Sequence, residues 1–536
     1  MNTGASRRRL LQFTAGAIAA GTITSGGTAL LAQSATRLRR ARGGTLTTLD
    51  PQRAVSAADM EIAADLFCGL TAVDAAGEII AGCAEAWQVS ADGQRYSFHL
   101  RSGLRWSDGM PLTANDVVAS YRRLLDPDTG ALLGYRYDAI GNAAAIITGH
   151  APPAELAVAA PNATTVVFTL CRPETDFLKL AAIAYLVPNH ALRRWDKQWA
   201  KPPQIVVNGA FRPRSWQQNG TLLLQNNPSF FDAKLLRLDE LQWHVGVDDA
   251  TRLRMFRSGE LDVAQIGESS QLAIARRELA SQLHSEPFYG GGWLGLQTQR
   301  PGLRDVRVRQ ALSLAVDRQL LANKVRALGE QPTESLVPVA VRDYPQHAAP
   351  SHASWPMPKR LAAARELLHA AGYSNGQPLA LQAIFSANDL TQRSFLALAA
   401  MWAPLAVRVA AQGLESRAYN LALRAGNFDL MDYTPFSVVQ SATSFIGRFH
   451  SRSFLNYSHY ANPEVDRLID LAQRQLTPQL RAQHFLEVET ILLRDVPALP
   501  LYSGITHRLV APRVLGWTAN PGLSLPSRFL SVQGHS

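Results

Sequence analysis

With 536 residues, 47% of them apolar and 18% charged, the chain is too long for one ordinary core and too apolar to be disordered, so two or three domains are expected. The net charge is +10, and three of those positives are Arg7, Arg8 and Arg9 at the start; the remainder is a mild excess. Three cysteines with no Cys-x-x-Cys give no indication of a zinc or dithiol redox site.

The first stretch has the order of an export signal. Ser6-Arg7-Arg8-Arg9-Leu10-Leu11 precedes a weakly polar, Ala/Gly-rich run to Ala32, and Ala32-Gln33-Ser34 offers small residues where a peptidase reads. The paired arginines point to the twin-arginine route, so residues 1–34 are expected to be a signal peptide of that type. No later run of 18 apolar residues occurs, so no other membrane span is expected. Arg37, Arg39, Arg40 and Arg42 follow as a basic run with no interleaved aromatics; a solvated, frayed terminus is expected rather than a nucleic-acid contact.

Residues 43–50 are expected to form the first strand, and 57–68 a helix with Met60, Ala64 and Phe67 inward, broken at Gly69-Leu70-Thr71. Gly77 and Gly82 bracket a short strand. Cys68 and Cys83 lie across a helix end and a turn, where an exported setting permits a disulfide; Cys171 is then buried and unpaired. Asp92-Gly93 is a turn, and Tyr96, Phe98 and Leu100 alternate as a strand with one apolar face. Thr113 begins a helix as N-cap with Asp116 in the first turn. Val117, Tyr121, Leu124 and Leu125 form its apolar face, and Pro127 stops it.

Residues 138–149 are expected to be helical. Val166, Phe168 and Leu170 mark a strand, and the short apolar stretch 178–186 is read as core. At Val206-Val207-Asn208-Gly209-Ala210-Phe211, Gly209 implies a turn or a close backbone approach. Strands follow around Leu222 and around Leu241 and Trp243. Gly290-x-Gly292-x-x-Gly295 formally matches a dinucleotide fingerprint, but no helix follows it, so that reading is rejected.

Val308, Ala311, Leu312, Ala315 and Val316 repeat at helix spacing behind Asp305. The proline-rich stretch 335–358 is irregular, with His347 and His352 expected in solvent. A helix over 359–371 and a strand from Leu379 come next. Residues 390–413 are expected to be helical with a bend or end at Pro404, and 427–430 a strand. Two helices open at Pro463 and Pro478, and 495–502 is a return strand. No nucleophile elbow, no His-Glu-x-x-His and no phosphate loop occurs, so no catalytic residue, metal or cofactor is assigned.

One stretch carries more than local structure. Arg101-x-Gly103-x-x-Trp106-Ser107-Asp108-Gly109-x-Pro111-Leu112-Thr113-Ala114-x-Asp116-Val117 resembles the extracytoplasmic solute-binding proteins of ABC importers, the peptide, oligopeptide and nickel type known as family 5. Ala84-Glu85-Ala86-Trp87, Asn208-Gly209-Ala210-Phe211 and the helix after Asp305 extend the resemblance over roughly residues 44 to 532. It implies an α/β, periplasmic-binding-protein-like fold (type II, the large three-domain variant), with two lobes of mixed sheet around a ligand cleft. The implied organisation is lobe I at 35–78, an inserted subdomain at 79–205, lobe I again at 206–290, lobe II at 291–498, and a return to lobe I at 499–536.

The resemblance implies a periplasmic protein, not an enzyme, that binds a peptide or peptide-like solute and delivers it to an ABC-transporter permease. It would act as a monomer that meets the membrane only through the permease, without cofactor, metal or nucleic acid. A sensory or chaperone-like binder on the same fold is the alternative. Peptide-binding relatives hold the ligand as an added strand. Oligopeptide binders pair its ammonium with an Asp, and the ungapped alignment from Asn427-Phe428-Asp429 to Thr443-Ser444-Phe445 puts Val438 there. Either Asp432 takes that role or the ligand has no free amine at that place; the second is favoured, as in a modified or blocked peptide. Candidate cleft residues are Tyr289, Trp293, Asp432, Tyr433, Phe436 and Val438.

Overall fold

The computed structural model describes residues 35–217, 220–522 and 525–533. The export signal expected over 1–34 lies outside the described residues. From Thr36 onwards the chain forms one unit of mixed α/β structure.

The strands are β1 (Arg37–Arg42), β2 (Thr71–Val73), β3 (Ile79–Ala81), β4 (Ala84–Val89), β5 (Arg95–Leu100), β6 (Val158–Asn162), β7 (Thr165–Thr169), β8 (Phe211–Trp216), β9 (Thr221–Asn226), β10 (Glu240–Val245), β11 (Val263–Ile266), β12 (Leu283–Leu296), β13 (Gln331–Pro332), β14 (Leu379–Ser386), β15 (Val407–Leu414), β16 (Leu430–Tyr433), β17 (Ala498–Val510), β18 (Val514–Leu515) and β19 (Ser531–Val532). The main sheet runs β15-β14-β16-β12-β17-β11-β1-β10-β9-β8, with β13 on β17. Its centre is the long antiparallel pair β12 and β17. Their ladder shifts register between Pro287 and Gly291 and again between Gly292 and Trp293. A second sheet, β4-β5-β7-β6, stands apart, as does the β2–β3 hairpin.

The first helices are α1 (Ala57–Leu66), α2 (Ala114–Leu125), α3 (Ala143–Ile147) and α4 (Phe177–Ile183). Helix α2 starts as its residues dictate. The Asp116 carboxylate accepts from both the amide (2.9 Å) and the hydroxyl (3.1 Å) of Thr113, and Val117, Tyr121, Leu124 and Leu125 are buried. That face joins Phe98, Phe168 and Phe177 in one core cluster over the small sheet. Gly209 is a close approach and not a turn: a Cβ there would lie 2.4 to 2.6 Å from the Leu66 and Phe67 backbone. Gly290, Gly291 and Gly292 run inside β12, with no helix behind them.

Several expectations fail, each for a readable reason. The first strand is 37–42, not 43–50: the arginines expected to fray form β1, between β10 and β11. Arg40 is 2% exposed. Each arginine meets a carboxylate far off in sequence: Arg37 with Glu240, Arg39 with Asp262, and Arg40 and Arg42 both with Glu61. Paired and hydrogen-bonded, the charges tolerate burial.

The helix expected over 390–413 ends at Trp402, and Val407–Leu414 is a strand paired in parallel with β14. Pro404 ends the helix, and the buried Leu405 and Val407 then pack into the sheet core. In 138–149 only α3 is α-helical. His347 and His352 are half-buried rather than in solvent. His347 Nδ1 lies 3.0 Å from the Ser335 hydroxyl, and burial pushes His352 down to about 4. Cys171 is exposed, not buried. Cys68 and Cys83 are both buried free thiols, and the Cys83 Sγ lies 3.9 Å from the Cys68 carbonyl oxygen. Among the described residues no helix is long and apolar enough to cross a membrane.

Candidate functional site

One apolar-walled cavity beside the central strands encloses about 980 Å³ of space, part of it open to solvent. Its walls come from segments far apart in the chain. One wall is α1 (Met60, Ala64), the β2–β3 hairpin (Val73, Glu78, Ile79) and α4 (Lys179, Ile183). The other is Tyr289 of β12 and the segment Val438-Val439-Gln440. Tyr185 and Asn520 complete it.

Local structure explains why these residues face one space. The β2–β3 turn is fixed by Asp74, whose carboxylate accepts from the Ala76 amide at 2.8 Å and the Glu78 amide at 2.9 Å, with Gly77 at φ +87°. Helix α4 buries Phe177, Leu180 and Ala181 in the core over the small sheet, which turns Lys179 the other way and leaves Ile183 at the margin between that core and the cavity. Beyond β16 the chain stays beside β12: the Gly291 amide donates to the Pro435 carbonyl at 3.1 Å and the Ser437 amide to the Tyr289 carbonyl at 2.8 Å. Alternate backbone groups of an extended segment point to opposite sides. Among the described residues the Phe436 and Val438 amides have no protein acceptor, although the Phe436 carbonyl accepts from Arg448 at 3.2 Å, so what this segment leaves unpaired is its amides.

The charges around the cavity are paired with one another. Lys179 Nζ lies 2.9 Å from Asp176 and 3.2 Å from Asp343, and these carboxylates hold its pKa up although burial opposes the charge. Glu78 meets Arg342 at 2.7 Å. Gln440 Oε1 accepts from the Tyr289 hydroxyl and from Arg342 Nε, both at 3.2 Å. Burial raises the Tyr289 phenol. Glu174 is buried behind Asp176; burial, and then the neighbouring Asp176 charge, push its carboxyl up to about 7. What the cavity offers is an apolar wall, a backbone edge and neutral hydrogen-bonding groups.

Of the six candidate residues, Tyr289 and Val438 line this cavity. Trp293 is 2% exposed and packs on Phe449 (centroids 5.5 Å apart) and Tyr433 (5.7 Å), inside a core cluster. The Tyr433 hydroxyl accepts from Arg448. Phe436 is half-buried opposite Gly290. Asp432 pairs with Leu294 in the ladder and faces Arg326 and Tyr502, not the cavity; burial, opposed by Arg326, raises its carboxyl to about 6. The sequence reading missed Met60, Glu78, Ile79, Lys179, Ile183 and Gln440. Lys179 carried the one available signal, a lone cation in the apolar stretch 178–186.

A second cavity adjoins the first where Ala54 and Leu133 give way to Val55 and Leu132. It is lined by Tyr135, Phe454, Tyr457 and Arg424, with the Tyr135 and Phe454 rings 4.5 Å apart.

Residues 78–453 match the family model of bacterial extracellular solute-binding proteins, family 5. The chain is 33% identical over 494 residues to the probable deoxycholate-binding periplasmic protein of Escherichia coli, covering 91% of this chain and 92% of that one. It is 30% identical to the periplasmic oligopeptide-binding protein of Salmonella typhimurium, covering 91% and 90%. Among solved structures it superposes on the E. coli murein tripeptide binding protein with TM-score 0.85 and 28% identity, over 94% of this chain and 99% of that one. The Haemophilus influenzae oligopeptide-binding protein, solved with the peptide RPPGFSPFR, gives TM-score 0.83 and 27% identity over 93% and 99%. With the mixed sheet and the cavity beside its central strands, these matches give the fold as that of the type II periplasmic binding proteins, and the chain belongs to the bacterial extracellular solute-binding proteins of family 5.

Proposed function

We propose that the protein binds a small peptide or peptide-like solute in the periplasm and hands it, chemically unchanged, to an ABC-transporter permease. Relatives named for oligopeptides, a murein peptide and deoxycholate support a binding role, and none of those names describes an enzyme. The observation that carries the reading is the apolar cavity lined by Val438, with the Val438 and neighbouring Phe436 amides left unpaired. An extended ligand adds to such a segment through its own backbone.

The two parts of the main sheet act as lobes that close on the solute. The register breaks at 287–293, opposite 500–505, are where a hinge costs fewest ladder bonds. Export by the twin-arginine route and a monomeric state belong to the same proposal.

The solute carries no free ammonium beside Val438. A valine cannot pair with a cation, and an unpaired charge in an apolar cavity is costly. A peptide blocked at its amine fits; so does an amphipathic acid whose apolar body fills the cavity, a second reading favoured by the apolar walls.

Native mass spectrometry of protein purified from the periplasm, followed by calorimetric titration, tests this. N-acetylated tripeptides are expected to bind at least about tenfold more tightly than their free-amine forms, the fold-change of one poorly placed charge. Deoxycholate tests the second reading. Tighter binding of the free-amine peptides would remove the argument from Val438.

A further inference from the structure

The floor of the cavity continues into an ion cluster that the solute reading does not use. Lys179 of α4 donates to the Gln440 carbonyl at 2.5 Å, besides meeting Asp176 and Asp343. Asp343 Oδ1 accepts from the Ala442 amide at 3.1 Å. The Ser441 hydroxyl donates to Asp176, which is 3% exposed. Arg481 closes the set, 4.0 Å from Asp176 and 3.9 Å from Asp343, and donates to the Thr175 hydroxyl. Three successive residues, 440 to 442, are thus held by charged groups.

The partners come from two different cores. Phe177 and Leu180, flanking Lys179, belong to the cluster over the small sheet. Tyr344, Ala442 and Phe445 belong to the cluster around Trp293. Between those cores this contact is polar, and Lys179 stands at its centre with three acceptors around one ammonium. An ammonium has three protons, so the site is fully used. Burial disfavours the charge on Asp176, yet Lys179 and Arg481 hold its pKa below the ordinary value, as a working pair requires.

We propose that Lys179 is a positioning residue for the solute edge. Its bridge to Asp176, Asp343 and the Gln440 carbonyl sets the backbone of 438–442 when the cavity closes, and it spends the one cation that the described residues bring to the cavity wall on the protein's own carboxylates. The same bridge keeps Lys179 from acting as a counter-ion for an acidic solute. This rests on reading 436–440 as the solute edge, but its test needs no solute.

Hydrogen–deuterium exchange is measured on the full chain for wild type, Lys179→Met, Lys179→Arg, Asp343→Asn and the Lys179→Met/Asp343→Asn double variant. Methionine keeps the apolar stem against the cavity and removes only the ammonium. Peptides covering 436–445 are expected to exchange on the order of tenfold faster in Lys179→Met, the fold-change of one lost charge-assisted hydrogen bond. The double variant is expected to be no faster than Lys179→Met, and Lys179→Arg to recover most of the protection. Peptides from the helix Pro463–Arg474, which contacts the same core, should stay at the wild-type rate. Unchanged exchange at 436–445 overturns the proposal, and so does an increase spread evenly over the chain or one that Lys179→Arg fails to reverse. Because no solute is present, failure here leaves the binding reading standing, and failure to find a solute leaves this result standing.

Discussion

Two ion-pair systems in this molecule use the same chemistry to different ends. In β1, Arg40 and Arg42 converge on Glu61 of α1, while Arg39 and Arg513 converge on Asp262. Arg40 also donates to the Leu525 carbonyl and the Ser527 hydroxyl and lies over the Trp243 ring, 4.3 Å from its centroid. The arginines of β1 sit on a strand whose backbone is held on both sides by the β10 and β11 ladders, and their partners come to it from α1, from Asp262 beside β11, which Arg513 also reaches from the turn after β17, and from the C-terminal segment. Around Lys179 the partners sit on a short helix, a loop and the helix Pro478–Asp495, with no ladder to hold them together. Ion pairs on a strand held by ladders on both edges are fixed in place; ion pairs between segments with no ladder set a contact that the proposed lobe motion is able to part. The first kind is costly to break because it strands a charge where water does not reach. On the proposed lobe opening, the second returns its charges to solvent.

The sharpest way to break that contrast is at Glu61. Glu61→Gln leaves Arg40 and Arg42 without their counter-charge inside the sheet, and a loss of about 3–5 kcal/mol in unfolding free energy is expected from urea titration. Both arginines, and burial opposing them, act on the Glu61 carboxyl, which stays below its usual value. Its stabilisation is therefore present at neutral pH and lost as pH falls through the folded value, a slope the Gln variant should lack.

Asp432 gives the opposite sign and a smaller effect. Its folded value of about 6 lies above the ordinary 3.8. The folded state binds that proton more tightly, so the contribution is full below about pH 4 and lost as pH rises through about 6. Asp432→Asn should be more stable than wild type at pH 7 by about 2–3 kcal/mol, with the difference vanishing towards pH 4, when thermal unfolding is followed across that range.

Arg37 tests the rim of β1. Its side chain is 46% exposed, and Arg37→Ala should cost no more than about 1 kcal/mol although Glu240 loses a partner. Equally small is the global effect of Lys179→Met, expected at about 1 kcal/mol by denaturant midpoint, because Arg481 still faces both carboxylates and Ser441 still donates to Asp176. A loss there as large as that at Glu61 would erase the distinction between the two systems.

The same contrast explains what could be read beforehand. The Thr113 helix start, the Tyr96-Phe98-Leu100 strand and the helix at Val308 were legible because their causes lie within a dozen residues: a cap, an alternation, a 3.6-residue period. Gly209 announced a close approach, though only the structure named Leu66 and Phe67 as the backbone approached. Val438 was placed by ungapped alignment and does face the cavity. Trp293 and Tyr433, chosen with it, turn into the core because they leave β12 and β16 on the side of Phe449.

From the residues alone came the local elements, the rejection of a dinucleotide site and, through the Trp106-Ser107-Asp108-Gly109 stretch, the family. Tertiary structure decided that the arginine run is a strand, because its carboxylates stand about 20 to more than 200 residues away. It also decided that Met60, Ile79, Lys179 and Gln440 share one cavity, since no periodicity links residues carried there by four separate segments. Short-range causes are written along the chain; a charge that needs a distant partner, or a cavity walled by several segments, exists only once the backbone has brought them together.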